Sequence, residues 1–277
     1  MKVTRGQAAL HPSSARRYAA GMCLTRGIVC AALAATLGCG SPQVRWDEPV
    51  SALADTLGGL IVRPAEAIDF VRPEVPGALP VDSARCARSV AVAREGIQWY
   101  AAWFRLRGDS TVAVISSRSA DSGRTWSKPG MVDSVDVARL GCARPGPSIA
   151  ASGGYVHVAY SLEAPEGFGV FFAHSMDNTA SFHSPITVIY GDRLSATATA
   201  AAGMNVAVAY EDPSGNGHRI DVALSRTQGH TFEPRERGSP DEMSAVYPEV
   251  GVRDSTLAVS FAQPGNAARI IRIGHLR

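Results

Sequence analysis

The sequence predicts an all-β protein, a β-propeller of four-stranded antiparallel blades, about four of them. Three observations carry this. Four runs of alternating apolar residues end on an aromatic: Trp99–Trp103, Val156–Tyr160, Val206–Tyr210 and Leu257–Phe261. Their starts are separated by 57, 50 and 51 residues (156−99, 206−156, 257−206), a period that belongs to repeating architectures. No long stretch with a 3.6-residue apolar period follows residue 38, so helices are not expected there.

Each run has an apolar neighbour on both sides. Before them lie 89–93, 147–152, 197–202 and 249–252; after them lie 110–117, 169–175, 220–225 and 270–275. Period-2 alternation between short Gly, Asp, Ser and Pro breaks makes all of these strands. Fourth strands follow at 131–135 and 186–190. Radial repetition of such sheets leaves only short edges, which is what a propeller does with strands that would otherwise stay unpaired. The fourth repeat stops after its third strand at Arg277, so the missing outer strand is expected from the N-terminal side, with Gly59–Arg63 as the candidate. The Pro-rich residues 64–85 would then cross to the first blade.

The N-terminal residues read as an address. An uncharged apolar run from Gly27 to Leu37 follows Arg26; it has the length of a secretory h-region and is too short to span a bilayer as a helix. Residues 1–38 are expected to be a signal peptide, with translation starting at Met1 or at Met22, and residues 39–58 a linker. Thr36-Leu37-Gly38-Cys39 resembles a bacterial lipobox, which implies lipidation at Cys39 and a membrane-anchored, exported protein. Cys23 and Cys30 go with the leader. Cys86 and Cys142 remain, both in the context Cys-Ala-Arg, and are expected to form a disulfide between adjacent blades.

Composition narrows the function classes. The chain of 277 residues is 45% hydrophobic and 19% charged with a formal net charge of +2, enough for a real core and too balanced for a polyelectrolyte binder. Lys2 and Lys128 are its lysines, and no basic run points to nucleic acid. The seven histidines follow no metal-ligand spacing, and the spacing of Cys86 and Cys142 matches no zinc pattern. Asp212–Gly217 reads as a turn, because Ala223 stands where a calcium loop needs its last carboxylate. No metal or cofactor site is expected.

Between the third and fourth strands lies Ser-Ala-Asp-Ser-Gly-Arg-Thr-Trp at 119–126, repeated in weaker form at 175–182 and 225–232. Asp121 is suited to accept the backbone N–H groups of its own turn, Gly123 to take positive φ, and Trp126 to bury a ring. The motif resembles the Asp-box, or BNR, repeat of the sialidase superfamily, with pattern S-x-D-x-G-x-T-W. Ser119, Asp121, Gly123, Thr125 and Trp126 match throughout; Ser175, Asp177 and Phe182 keep part of the second copy; Ser225, Gly229, Thr231 and Phe232 keep part of the third. The resemblance implies structural turns on one face and a ligand site on the other, at the corners leading into each first strand. Those corners carry Arg88, Arg144, Arg193 and Tyr247; the loops between second and third strands carry Asp109 and Glu211.

A catalytic sialidase would use such a set as follows. Arg88, Arg144 and Arg193 would clamp a carboxylate, Tyr247 would be the nucleophile, Glu211 its base and Asp109 the acid. Arginine suits the clamp because its planar fork meets a carboxylate through two hydrogen bonds. The family's Phe/Tyr-Arg-Ile-Pro motif is absent, and catalytic sialidases typically have six blades. The expected function is therefore a non-catalytic module binding a glycan or an envelope protein, with exo-α-sialidase activity as the alternative. The convergence of Arg88, Arg144, Arg193 and Tyr247 on one pocket is what separates the two.

Overall fold

The computed structural model describes residues 43–52, 73–74, 79–80, 82–214, 217–266 and 268–277. Cys39 and the candidate strand Gly59–Arg63 lie outside the described residues. Two short strands come first, β1 (Val44–Trp46) and β2 (Val50–Ala52). The first complete sheet is a meander of β3 (Ala91–Glu95), β4 (Gln98–Leu106), β5 (Val112–Ser119) and β6 (Gly130–Asp133). The second is β7 (Ser148–Ser152), β8 (Tyr155–Ala164), β9 (Gly167–Ser175) and β10 (Ile186–Gly191). The third is β11 (Thr197–Ala202), β12 (Asn205–Glu211), β13 (Ile220–Ser225) and the two-residue β14 (Glu236–Arg237). The fourth comprises β15 (Val246–Arg253), β16 (Thr256–Ala262) and β17 (Arg269–Leu276).

All pairings within these sheets are antiparallel and sequential, and the fourth sheet is completed from the N-terminal side. The strand that does this differs from the expected one. β1 pairs with β17 through Val44↔Leu276 and Trp46↔Gly274, and β2 continues along the same strand at Ile270↔Ser51. Gly274 explains part of the fit: a Cβ there would lie within 3.1 Å of the Trp46 ring, so only glycine lets β1 lie flat on β17.

The first strands pack in series, β3 on β7, β7 on β11 and β11 on β15. Together they line one channel of about 390 Å³, with alanines and β-branched residues prominent among its walls. Four meander sheets set around a common channel are the blades of a β-propeller. Apolar side chains on both faces of the middle strands fill the gaps between blades. Tyr100, Phe104 and Val114 meet Val158, Tyr160 and Phe171. Val170 and Phe172 meet Val206, Val208 and Tyr210. Ala209, Val222 and Leu224 meet Leu257, Val259 and Phe261. This two-sided burial is why the middle strands are nearly continuous apolar runs.

The box turns lie beside the hairpins between first and second strands: Ser122 N–H donates to the Ile97 carbonyl and Gln228 N–H to the Met204 carbonyl, both at 2.9 Å. In the first box Ser119 Oγ accepts from Gly123 N–H at 2.8 Å. Asp121 accepts from Thr125 N–H at 2.8 Å and from its hydroxyl at 2.7 Å. Ser122 and Gly123 take φ of +60° and +83°. The second box keeps this network with Ser181 in the threonine's place, donating to Asp177 at 2.9 and 2.6 Å. Its Thr179 adopts φ +71° where the pattern has glycine, a strained position for a β-branched residue. In the third box Thr227 replaces the aspartate, and its hydroxyl accepts from Thr231 N–H at 3.0 Å. Hydrogen-bond function is preserved where residue identity is not. Cys86 and Cys142 form the expected disulfide, with Cα atoms 5.3 Å apart.

Candidate functional site

On the face away from the box turns, the chain enters each blade beside a cavity of about 670 Å³, lined by Arg88, Ser89, Pro145, Pro147, Ser148, Thr197, Tyr247, Pro248 and Arg269 among others. Its walls are stiff. Prolines fix φ at two corners, Pro145 and Pro147 at one and Pro248 at another. The short 3₁₀ turn Ala87–Ser89 is pinned by the Cys86–Cys142 disulfide and by Ser89, whose hydroxyl donates to the Cys86 carbonyl at 2.7 Å and accepts from Phe104 N–H at 2.8 Å. Arg88 projects from this turn, exposed, with no hydrogen bond or ion pair among the described residues. The floor joins β7 to β11 through hydroxyls: Ser148 Oγ lies 3.2 Å from Thr197 Oγ1 and 2.8 Å from Thr199 Oγ1.

Tyr247 lines the same cavity, 67% exposed, with φ +54°. That backbone is uncommon for a bulky residue, and the following Pro248 restricts it further. The conformation belongs to a bulge, since the β15–β16 register shifts between Val246 and Glu249. Both sides of Tyr247 are held. Its N–H donates to Glu211 Oε1 at 2.8 Å, and its carbonyl accepts from Arg269 Nη2 at 2.8 Å. Arg269 also donates to Ser260 Oγ at 2.7 Å and lies 3.4 Å from Glu249 Oε2. The ring is thus aimed outward by a strained and clamped backbone.

Of the expected catalytic set, the structure brings Arg88 and Tyr247 to one cavity and puts the others to different uses. Arg144 is a correction. Its side chain is fully buried, paired with the equally buried Asp136 at 3.0 Å. It also donates to the carbonyls of Gly141 and Ala138, both at 2.9 Å, and lies 5.8 Å from the Phe104 ring centre. Arg193 is a second correction: its Nη2 is spent on the carbonyls of Asp212 at 3.0 Å and Gly217 at 3.1 Å. Glu211 serves the Tyr247 peptide rather than its phenol. Asp109 lies in an exposed loop outside the cavity lining; the Thr111 hydroxyl and N–H donate to it at 2.6 and 3.1 Å. Those bonds, the hydroxyl's first, hold its carboxyl below the usual carboxylate range, the opposite of what a general acid needs. Among the described residues the Tyr247 phenol has no hydrogen-bonded base.

Sequence reasoning missed Arg269 and the Ser148–Thr197–Thr199 hydroxyls. Arg269 opens β17 and reaches the site only because the bulge at Tyr247 folds back over it. The hydroxyls sit in runs whose alternation signals strand and nothing else.

No protein-family model matches the chain, and no curated protein matches it. Solved structures do. A Hadza microbial sialidase, Hz136, is 14% identical over 71% of this chain and 47% of its own, with a TM-score of 0.47. Trypanosoma rangeli sialidase bound to a difluorinated KDN is 12% identical over 83% and 40%, with a TM-score of 0.49. GH43B of a Bacteroides ovatus xyloglucan utilisation locus is 12% identical over 66% and 38%, with a TM-score of 0.41. The likeness is one of fold. The chain spans less than half the length of each of these structures, and its propeller architecture rests on its own sheet order and strand packing.

Proposed function

We propose that the chain is an exported, lipid-anchored binding module built on a sialidase-like propeller. In this reading the cavity between Arg88 and Tyr247 holds a glycan or a protein segment of the cell envelope without hydrolysing it. Export and anchoring rest on the leader and on Cys39. The observation that carries the binding reading is the use made of the charged residues: among the described residues the Arg88 guanidinium at the cavity has no partner, while Arg144, Arg193, Glu211 and Asp109 each hold hydrogen bonds within the fold. An unpaired arginine and an exposed aromatic ring over a hydroxyl-lined floor suit a sugar carrying a carboxylate. The guanidinium meets the acid and the ring meets the sugar face.

The exo-sialidase alternative retains one supporting observation, the shared cavity of Arg88 and Tyr247. Binding is tested by titrating acidic and neutral oligosaccharides into the purified chain. Acidic glycans should bind, and Arg88→Ala should weaken them by about 1.5–3 kcal/mol, the range for a hydrogen bond to a charged group. Equal affinity for neutral glycans, or no change on Arg88→Ala, would contradict the assignment.

A further inference from the structure

Four histidines meet where the third box turn docks on the second blade. His157 on β8 and His174 on β9 are cross-strand partners. His183 follows the second box, and His230 lies inside the third. Ring centres are 4.5 Å apart for His174–His183, 4.7 Å for His174–His230, 6.0 Å for His183–His230 and 6.4 Å for His157–His174. Exposure falls inward: His183 and His230 are exposed, His174 is 6% exposed and His157 is 0%. Neither ring nitrogen of His157 has a hydrogen-bond partner, nor does Nε2 of His174.

The surroundings are aromatic, and among the described residues no counter-charge acts on the inner rings. Tyr155 and Phe172 stack on either side of His157, at 6.2 and 5.9 Å, and Phe232 meets Phe172 edge-on at 4.9 Å. The charges acting on the inner rings are other imidazoles: His174 and His230 on His157, His183 and His230 on His174. Box and sheet are in direct contact, since a Cβ on Gly229 would come within 2.6 Å of Phe172 and 3.4 Å of His157 Nδ1. Among the described residues no group of three or more His, Cys, Asp or Glu side chains is placed to hold a metal ion.

We propose that the cluster is an acid-sensitive latch: charging its inner rings releases the third box turn from the second blade. An imidazolium at His157 or His174 would be buried without a partner and pressed against other histidines; separating the turn from the sheet admits water to the inner rings and takes His230 away from them, while His183 stays with the second blade. Burial, and then the neighbouring rings, hold His174 near about 4 and His157 near about 3, below the usual 6.5. The open form, with ordinary imidazoles, therefore binds more protons between pH 6.5 and those values. Closure is complete above pH 6.5 and weakens as pH falls through that window. The turn also forms part of a cleft of about 690 Å³ against β10, through Phe232 and Arg235 facing Ile186 and Tyr190. Its release would reshape that cleft.

Amide hydrogen exchange at pH 7.5 and pH 4.5, corrected for intrinsic rates, tests this with the first box as internal control. Residues 225–232 should lose at least about tenfold more protection than residues 119–126, since one unit of pKa shift is a factor of ten, and regain it at pH 7.5. His174→Phe, and separately His157→Phe with His174→Phe, should reduce that excess. Equal loss in the two boxes would mean global acid unfolding and overturn the latch, as would an undiminished excess in His174→Phe.

Discussion

Replacing Arg144 by leucine separates the two roles this residue could have. In the structure its guanidinium holds Asp136 at 3.0 Å and the carbonyls of Gly141 and Ala138 at 2.9 Å, with no exposure. Asp136 in turn accepts Val112 N–H at 2.9 Å, so the pair ties the segment before β7 to the start of β5. Arg144→Leu leaves a buried carboxylate without its counter-charge. Removing one partner of a buried pair costs about 3–5 kcal/mol, and each kcal/mol moves the melting temperature of a domain this size by about 2–4 °C. The expected fall is therefore roughly 6–20 °C in calorimetry at pH 7.5. Arg144→Leu with Asp136→Leu should recover part of it, because the stranded charge is gone. Binding per folded molecule should stay at the wild-type level at a temperature where both are folded. A melting temperature within a degree or two of wild type, together with lost binding, would refute the structural assignment and return Arg144 to the ligand.

Three further outcomes follow from other parts of the fold. Reducing the Cys86–Cys142 disulfide, whose cysteines are 56 residues apart, should cost about 4 kcal/mol on the chain-entropy account, read as a lower urea midpoint with reductant. Gly229→Ala meets Phe172 at 2.6 Å and must hold φ +87°, whereas Gly96→Ala holds φ +59° in open space. The first should lose about 2 kcal/mol or more and the second about 1 kcal/mol in urea denaturation. Hydrogen bonds from Thr125 N–H first, then the Ser119 and Thr125 hydroxyls, lower the Asp121 carboxyl to about 2. Its stabilisation is present above the unfolded value near 4 and is lost as pH falls toward 2. Asp121→Asn should flatten that part of the melting-temperature profile.

The blades were legible because a strand buried on both faces and repeated every fifty or so residues leaves a pattern that no helix or loop imitates. The expected runs at 197–202 and 220–225 coincide with β11 and β13 to the residue. The disulfide was legible from two cysteines in matching contexts. Strand closure was legible as a need, because a blade lacking its fourth strand must find one. The choice of β1 over Gly59–Arg63 was not, since Val44–Trp46 is three residues long and its fit depends on Gly274 across the sheet. The arginine clamp failed for a related reason. Sequence places Arg144 at a corner, and only the fold shows Asp136 waiting inside it. The histidine cluster is assembled from four elements with unrelated spacings, so no linear pattern could announce it.

In the proposed function the cavity binds a glycan without cleaving it. Incubating the purified chain with a fluorogenic α-sialoside from pH 4.5 to 7.5 separates binding from cleavage. Release should be no faster than in buffer, because among the described residues the Tyr247 phenol has no hydrogen-bonded base, and the Thr111 hydroxyl and N–H hold the Asp109 carboxyl below the usual carboxylate range. Turnover that Tyr247→Phe abolishes would contradict the proposed function.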